Sequence, residues 1–163
     1  MTAPAAGAAA APFREHRTVV RPEWVDYNEH MNDAAYAVVL TAANEEFLAA
    51  LGLSADYRTR TGSALFTAES HLRYLAECSL GQQLSAATLL VAADAKRVHL
   101  HTELLDEAGA PVATGEYLYL HVDTVSGRVA ELPPDRQQHV AEVLAVHATL
   151  PRPTHLGRGV GQR

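Results

Sequence analysis

The sequence predicts an α+β fold in which an antiparallel sheet wraps around one long, largely apolar helix, with a second helix near the end. Three observations lead there. Across residues 34–51 the apolar positions Ala35, Val38, Val39, Ala42, Ala43, Phe47 and Leu51 recur at spacings of three and four. Few charges interrupt the first half, so this helix is buried on several sides. After Gly62 the period changes from helical to alternating and stays so as far as Asp123. Short turn-forming stretches divide the alternating runs, which joins each strand to the next as a hairpin and makes the sheet antiparallel.

Each element carries its own signal. Residues 14–24 hold Val19 and Val20 among polar neighbours and read as a first strand ended by Pro22. An irregular connection follows, then Asn32 or Asp33 caps the long helix and Gly52 stops it. Residues 53–62, with Arg58 and Arg60, read as a polar connection. Residues 66–74 set Phe66, Ala68, Ser70, Leu72 and Tyr74 on a buried face against Thr67, Glu69, His71 and Arg73. Gly81 breaks that strand, and residues 84–93 form a more apolar one. Asp94 and Ala95 turn the chain into residues 97–105, where Val98, Leu100 and Leu104 alternate with Arg97, His99, His101 and Glu103. Residues 106–109 turn again, and residues 111–123 alternate once more. Pro133 and Pro134 start the second helix, whose Val140, Val143, Leu144 and His147 share a face.

A chain of 163 residues, 48% hydrophobic and 20% charged, suits one globular domain. That domain is expected over residues 14–148. Residues 1–13 are Ala-rich, lack Lys and Arg before Arg14, and are interrupted by Pro4, Gly7 and Pro12, which reads as a disordered start and not a secretory leader. Residues 149–163, rich in Pro, Gly and Arg, read as a flexible tail. A formal net charge of −6 argues against a nucleic-acid partner. No run approaches the roughly 18 to 20 apolar residues that span a bilayer, so no membrane partner is expected. The single cysteine, Cys78, excludes an internal disulfide and fits a reducing compartment. A cytoplasmic location is the expectation.

Between first strand and helix lies the stretch with chemistry in it, residues 22–32. Asp26, Asn28 and His30 stand at alternate positions and Asn32 follows. In an extended or loosely coiled segment alternate side chains leave on one side, so a carboxylate, an amide and an imidazole are presented together. The plain alternative is a polar loop whose Asp and Asn close turns and cap the helix.

This stretch resembles the active-site segment of hotdog-fold thioesterases. It is similar to the Asp-x-Asn-x-His-x-Asn pattern of plant acyl carrier protein thioesterases, matching Asp26, Asn28 and His30 in the positions that are catalytic there. Tyr74-Leu75-Ala76-Glu77-Cys78 resembles the same enzymes' Tyr-x-x-Glu-Cys stretch, which implies a catalytic role for Glu77. Over nearly the whole chain the likeness is nearer to the betainyl-CoA thioesterases of bacterial carnitine catabolism. It rests on Trp24-Val25-Asp26-Tyr27-Asn28, on Lys96-Arg97 before His99, and on Leu120-His121-Val122-Asp123 followed by Arg128. The resemblance implies a hotdog fold, a coenzyme A thioester substrate, no cofactor, and a homodimer, with pairing of two dimers into a tetramer left open. It also implies that each site draws Asp26 from one subunit and Glu77 from the other. Many hotdog enzymes carry Gly just before the His; here Glu29 adds a carboxylate that can compete as base.

Thioester hydrolysis needs a nucleophile and donors for the developing oxyanion. Asp26 or Glu77 can act as nucleophile or base, Asn28 or His30 can orient water or carbonyl, and free N–H groups at the start of the long helix can receive the oxyanion. Trp24, Tyr27, Tyr36 and Tyr74 cluster around the two motifs, and with Glu29 and Asn32 they are the expected substrate-binding residues. Together the aromatic rings can box a trimethylammonium head by cation–π attraction. A medium or long acyl chain in an apolar tunnel is the alternative substrate. A different class of function rests on His99, His101 and Glu103, one face of a strand, with His121 opposite: a non-catalytic sheet protein holding a metal there. Tyr117 and Tyr119 share that face by parity, which favours an assembly surface, and no metal is expected. Cys78, without a cationic neighbour in sequence, reads as a bystander.

Overall fold

The computed structural model describes residues 10–161, so residues 1–9 of the expected amino-terminal tail lie outside the described residues. The elements run β1 (Arg17–Val19), α1 (Asp33–Ala50), α2 (Ala55–Thr61), β2 (Ser63–Tyr74), β3 (Gln83–Ala93), β4 (Arg97–Leu105), β5 (Pro111–Asp123), β6 (Arg128–Val129) and α3 (Pro134–His147). The sheet is ordered β1-β3-β4-β5-β2, with β6 on β5 and every pairing antiparallel. It curls over α1, which packs against β3, β4 and β5.

Two expectations about the sheet need correcting. The chain of hairpins fails at its first link: β2 pairs with β5 and not with β3, and residues 75–82 carry the chain across to the other end of the sheet. Alternation says which face a side chain takes but not which strand lies beside it. The buried face of β2 is also not one parity throughout. Ala68 is skipped in the register between Thr67 and Glu69, and this bulge flips the phase. Leu65 before it and Leu72 after it both pack on the core, while Phe66 is half exposed.

Asn32 is the helix cap: its Oδ1 accepts from Ala35 N–H at 3.0 Å. Leu40 of α1 meets Leu100, Leu104 and Val98 of β4 in a fully enclosed core. Each such leucine contributes about 2 kcal/mol of burial. Gly115 lets the layers close, because a Cβ there would strike the Tyr117 ring and stand 3.3 Å from Leu40 Cδ1.

The connection expected over residues 53–62 contains helix α2. Its one buried residue, Tyr57, is too little for a visible period, but Ser54 precedes it and Gly62, at φ +68°, stops it. Tyr57 Oη lies 2.8 Å from His121 Nε2, and His121 Nδ1 lies 3.0 Å from the Ala130 carbonyl. A carbonyl only accepts, so Nδ1 carries the proton and Nε2 accepts from the tyrosine. At the other end of the core, His147 of α3 stacks on Phe47 and its Nδ1 accepts from Leu90 N–H at 2.9 Å. That amide borders a register shift between Leu90 and Ala92.

The proposed histidine face does not exist as one surface. Val98 and Leu100 pair with Tyr119 and Tyr117, whereas His99 and His101 pair with Leu118 and Glu116. Tyr117, Tyr119 and His121 therefore face the helix, on the opposite side of the sheet from His99 and His101. Parity within one strand does not carry to its neighbour without the register. His99 Nε2 lies 2.7 Å from Glu116, whose carboxylate also accepts from Gly157 N–H. Among the described residues no three His, Cys, Asp or Glu side chains are placed to hold a metal ion. No single helix there is long and apolar enough to cross a membrane.

Candidate active site

The site begins with a tight turn. Val25 N–H reaches back to Pro22 at 3.2 Å, closing a 3₁₀ turn over Pro22–Trp24. Asp26 then folds the next residues around itself. Its carboxylate accepts from Asn28 N–H at 2.8 Å, its carbonyl accepts from Glu29 N–H at 3.0 Å, and its N–H donates to His30 O at 3.1 Å. One oxygen of the half-buried Asp26 carboxylate thus closes an Asx turn, as the loop reading expected. Closing so tight a loop puts Glu29 at φ +65°, and no other described residue except glycine has positive φ. This is why glycine suits the position before the His.

Asn32 ties both ends of the loop, since its Nδ2 donates to Trp24 O at 2.8 Å while its Oδ1 caps α1. The second motif is laced to the first. Met31 N–H donates to Cys78 O at 2.8 Å, and His30 bridges Ser79. Glu77 is thereby brought beside His30 within one chain, Oε2 to Nε2 at 3.3 Å, both in reach of solvent.

The aromatic set divides. Tyr36 and Tyr74 stand edge to face, centroids 5.4 Å apart with planes at 80°. Tyr36 Oη donates to Ala76 O at 3.0 Å, and burial raises its pKa so that the phenol stays protonated. Tyr74 Oη reaches the Asp33 carbonyl at 3.4 Å. These two rings line a cleft of about 300 Å³ with Met31, Asp33, Leu75 and Glu77. Trp24 and Tyr27 do not line it: Arg21 sits 5.0 Å from the Trp24 ring centre, and Tyr27 is 93% exposed. A larger concavity of about 530 Å³, with Arg97, His99, Glu116 and Arg158 in its wall, includes no residue of either motif.

One expectation about the helix start is corrected. Ala34 N–H is taken by Asp33 Oδ1 at 2.9 Å and Ala35 N–H by Asn32, so these two amides are not free for an oxyanion. Sequence reasoning gave Asp33 only a capping role. Its place in the cleft wall follows from Tyr74 folding back onto it, a contact between distant residues that no local pattern announces. Cys78 is fully buried against Tyr36, and burial pushes its thiol up, which keeps it unreactive.

An antiparallel sheet curled over a central helix is the hotdog arrangement. The model of the thioesterase-like superfamily matches residues 20–144, and the chain belongs to that family. It is 41% identical over 149 residues to the L-carnitine dehydrogenase/betainyl-CoA thioesterase of Agrobacterium fabrum, covering 91% of this chain and 30% of that protein. The chain thus spans under a third of that relative. It is 37% identical over 147 residues to the betainyl-CoA thioesterase of Pseudomonas aeruginosa, covering 90% and 92% of the two. A Staphylococcus aureus protein solved in complex with CoA superposes with a TM-score of 0.86 at 28% identity, covering 96% of this chain and 99% of that one.

Proposed function

We propose that the chain hydrolyses an acyl-CoA thioester to the free acid and CoA, with betainyl-CoA as its substrate. The observation that carries this is the pairing of His30 with Glu77 beside the Asp26 turn, in a chain similar along nearly its whole length to a betainyl-CoA thioesterase. Asp26 acts as base or nucleophile: it takes a proton from water attacking the thioester carbonyl, or attacks that carbon itself. In either route the carbon–sulfur bond breaks and CoA leaves as the thiolate; in the second, water then hydrolyses the acyl–Asp26 anhydride, releasing the acid and restoring the carboxylate. With the Ala34 and Ala35 amides occupied, His30 or the Asn28 amide supplies the donor that orients water or carbonyl. Glu77 positions the His30 ring.

The active form is a homodimer. The unpaired edge of β2 and the exposed Phe66 and Val38 support a two-fold partner there. The domain spans residues 14–148, and the protein works in the cytoplasm in carnitine catabolism. The test is hydrolysis of betainyl-, butyryl- and decanoyl-CoA. Preference for betainyl-CoA by about tenfold or more is expected from two cation–π contacts. Equal or better rates on the uncharged chains overturn the substrate and leave thioester hydrolysis standing; no hydrolysis of any overturns both.

A further inference from the structure

We propose that the cleft between the start of α1 and the end of β2 seats the cationic head of the acyl group, with Tyr36 and Tyr74 as aromatic walls and Asp33 as counter-charge. The proposal rests on the betainyl-CoA reading and assigns the residues that make that choice.

A quaternary ammonium has no N–H to donate. It is recognised only by ring faces and by negative charge. The cleft offers both. Tyr74, half exposed, presents its ring to the cleft, and the buried Tyr36 ring backs it edge to face with planes at 80°, held by the bonds from Tyr36 to Ala76 and from Tyr74 to Asp33. Met31 and Leu75 supply the apolar remainder.

The helix end itself is the chief objection, because its positive dipole repels a cation. Asp33 answers it. The carboxylate stands on the first residue of α1, accepts from Ala34 N–H, and is exposed in the cleft wall. An end that would otherwise collect anions is thereby made negative. One methylene separates the betaine nitrogen from the thioester carbonyl, so the head must lie directly beside the attacking groups. Glu77 belongs to the cleft wall and lies 3.3 Å from His30, which joins the two places.

The other aromatic candidates fail on position. The Trp24 ring already carries Arg21, and Tyr27 stands in solvent.

The test compares betainyl-CoA with 3,3-dimethylbutyryl-CoA, which has the same shape with carbon in place of the charged nitrogen. The readout is the ratio of kcat/KM values for the two substrates. Both rates come from one preparation, so a partly unfolded variant does not distort it. Wild type is expected to favour the cation. Asp33→Asn should lower the ratio by about fivefold or more. Tyr74→Leu should lower it by about threefold to thirtyfold, and Tyr74→Phe, which keeps the ring, should retain it. Ratios unchanged in both Asp33→Asn and Tyr74→Leu overturn the subsite while betainyl-CoA hydrolysis stands. A wild type inactive on betainyl-CoA overturns the underlying reading and the subsite with it.

Discussion

Asn44, on the buried side of α1, is wholly enclosed. Its Nδ2 donates to Tyr119 Oη at 3.1 Å, its Oδ1 accepts from Thr102 Oγ1 at 2.6 Å, and Thr102 meets Thr88 at 3.1 Å. At the other end of the same helix Asn28 and Glu29 are exposed, and Asp26 and His30 are half-buried. The residue types are similar and the treatment is opposite. Under the helix Asn44, Thr88, Thr102 and Tyr119 are matched to one another, which fixes the helix on the sheet. In the turn the backbone is satisfied, one carboxylate oxygen closes the loop, and side-chain capacity faces solvent. Polar residues in this fold therefore divide into those that specify packing and those kept open for chemistry.

The largest effect that sharpens this contrast comes from the open side. Asp26→Asn keeps an oxygen that can accept from Asn28 N–H, so the turn and the melting temperature should survive. Turnover should fall by about a thousandfold or more, because an amide is neither base nor nucleophile. Steady-state kinetics beside a thermal melt check both halves. A near-wild-type rate, with Glu29→Gln inactive instead, would move the base to Glu29.

The next effect comes from the closed side and has the opposite signature. Asn44→Ala takes the partner from the Tyr119 hydroxyl, leaves Thr102 with Thr88 alone and opens a small cavity, and a loss of about 2 to 4 kcal/mol is expected. Denaturant unfolding measures it. The rate per folded molecule should hold, and a large loss of kcat without loss of stability would break the division.

How much of this was legible in the sequence follows the same line. The helix of residues 34–51, the strand faces of β4 and β5 taken singly, and the Asp26–Asn32 and Tyr74–Cys78 motifs are local patterns, and local patterns survive folding. What was misread needed two strands at once. Ala68 flips the phase of β2 through a bulge that leaves no mark in the residue type. The placing of Tyr117 beside His99 failed because only the register says which residues meet. Asp33 escaped because an acid at a helix start reads as a cap, which it also is. Tyr57 gave α2 too little apolar surface to show a period.

His101 tests the closed side in another way. It is buried on the far face of the sheet, and that burial lowers its pKa from 6.5 to about 4; Glu116 opposes the shift, while His155 and His99 add to it. The unfolded chain binds the proton more readily, so the contribution is present above pH 6.5 and is lost as pH falls towards 4. A shift of that size is worth up to about 3 kcal/mol. His147 acts in the same direction through burial, and its protonation also removes the acceptor for Leu90 N–H. Melting temperatures should drop between pH 7 and pH 5, and His101→Leu should flatten part of that slope. An unchanged slope in His101→Leu would assign the dependence elsewhere.

The smallest effect concerns Glu29, where the two kinds of region meet. A non-glycine residue at φ +65° costs about 1 kcal/mol, and Glu29→Gly relieves it. Glycine also loosens the unfolded chain by a similar amount, so stability should change by less than about 0.5 kcal/mol. The side chain's contribution is then read in the substrate. If the exposed carboxylate adds to the negative field around the cleft, kcat/KM for betainyl-CoA should fall by about two- to fivefold while that for butyryl-CoA holds. Surface charges are screened, so the difference should shrink at high salt. A fall of equal size on both substrates would instead make Glu29 part of the turn's geometry. No fall on either would leave the strained residue without a measured role in the site, and the comparison would lose its one point of contact between an unfavourable backbone and an open side chain.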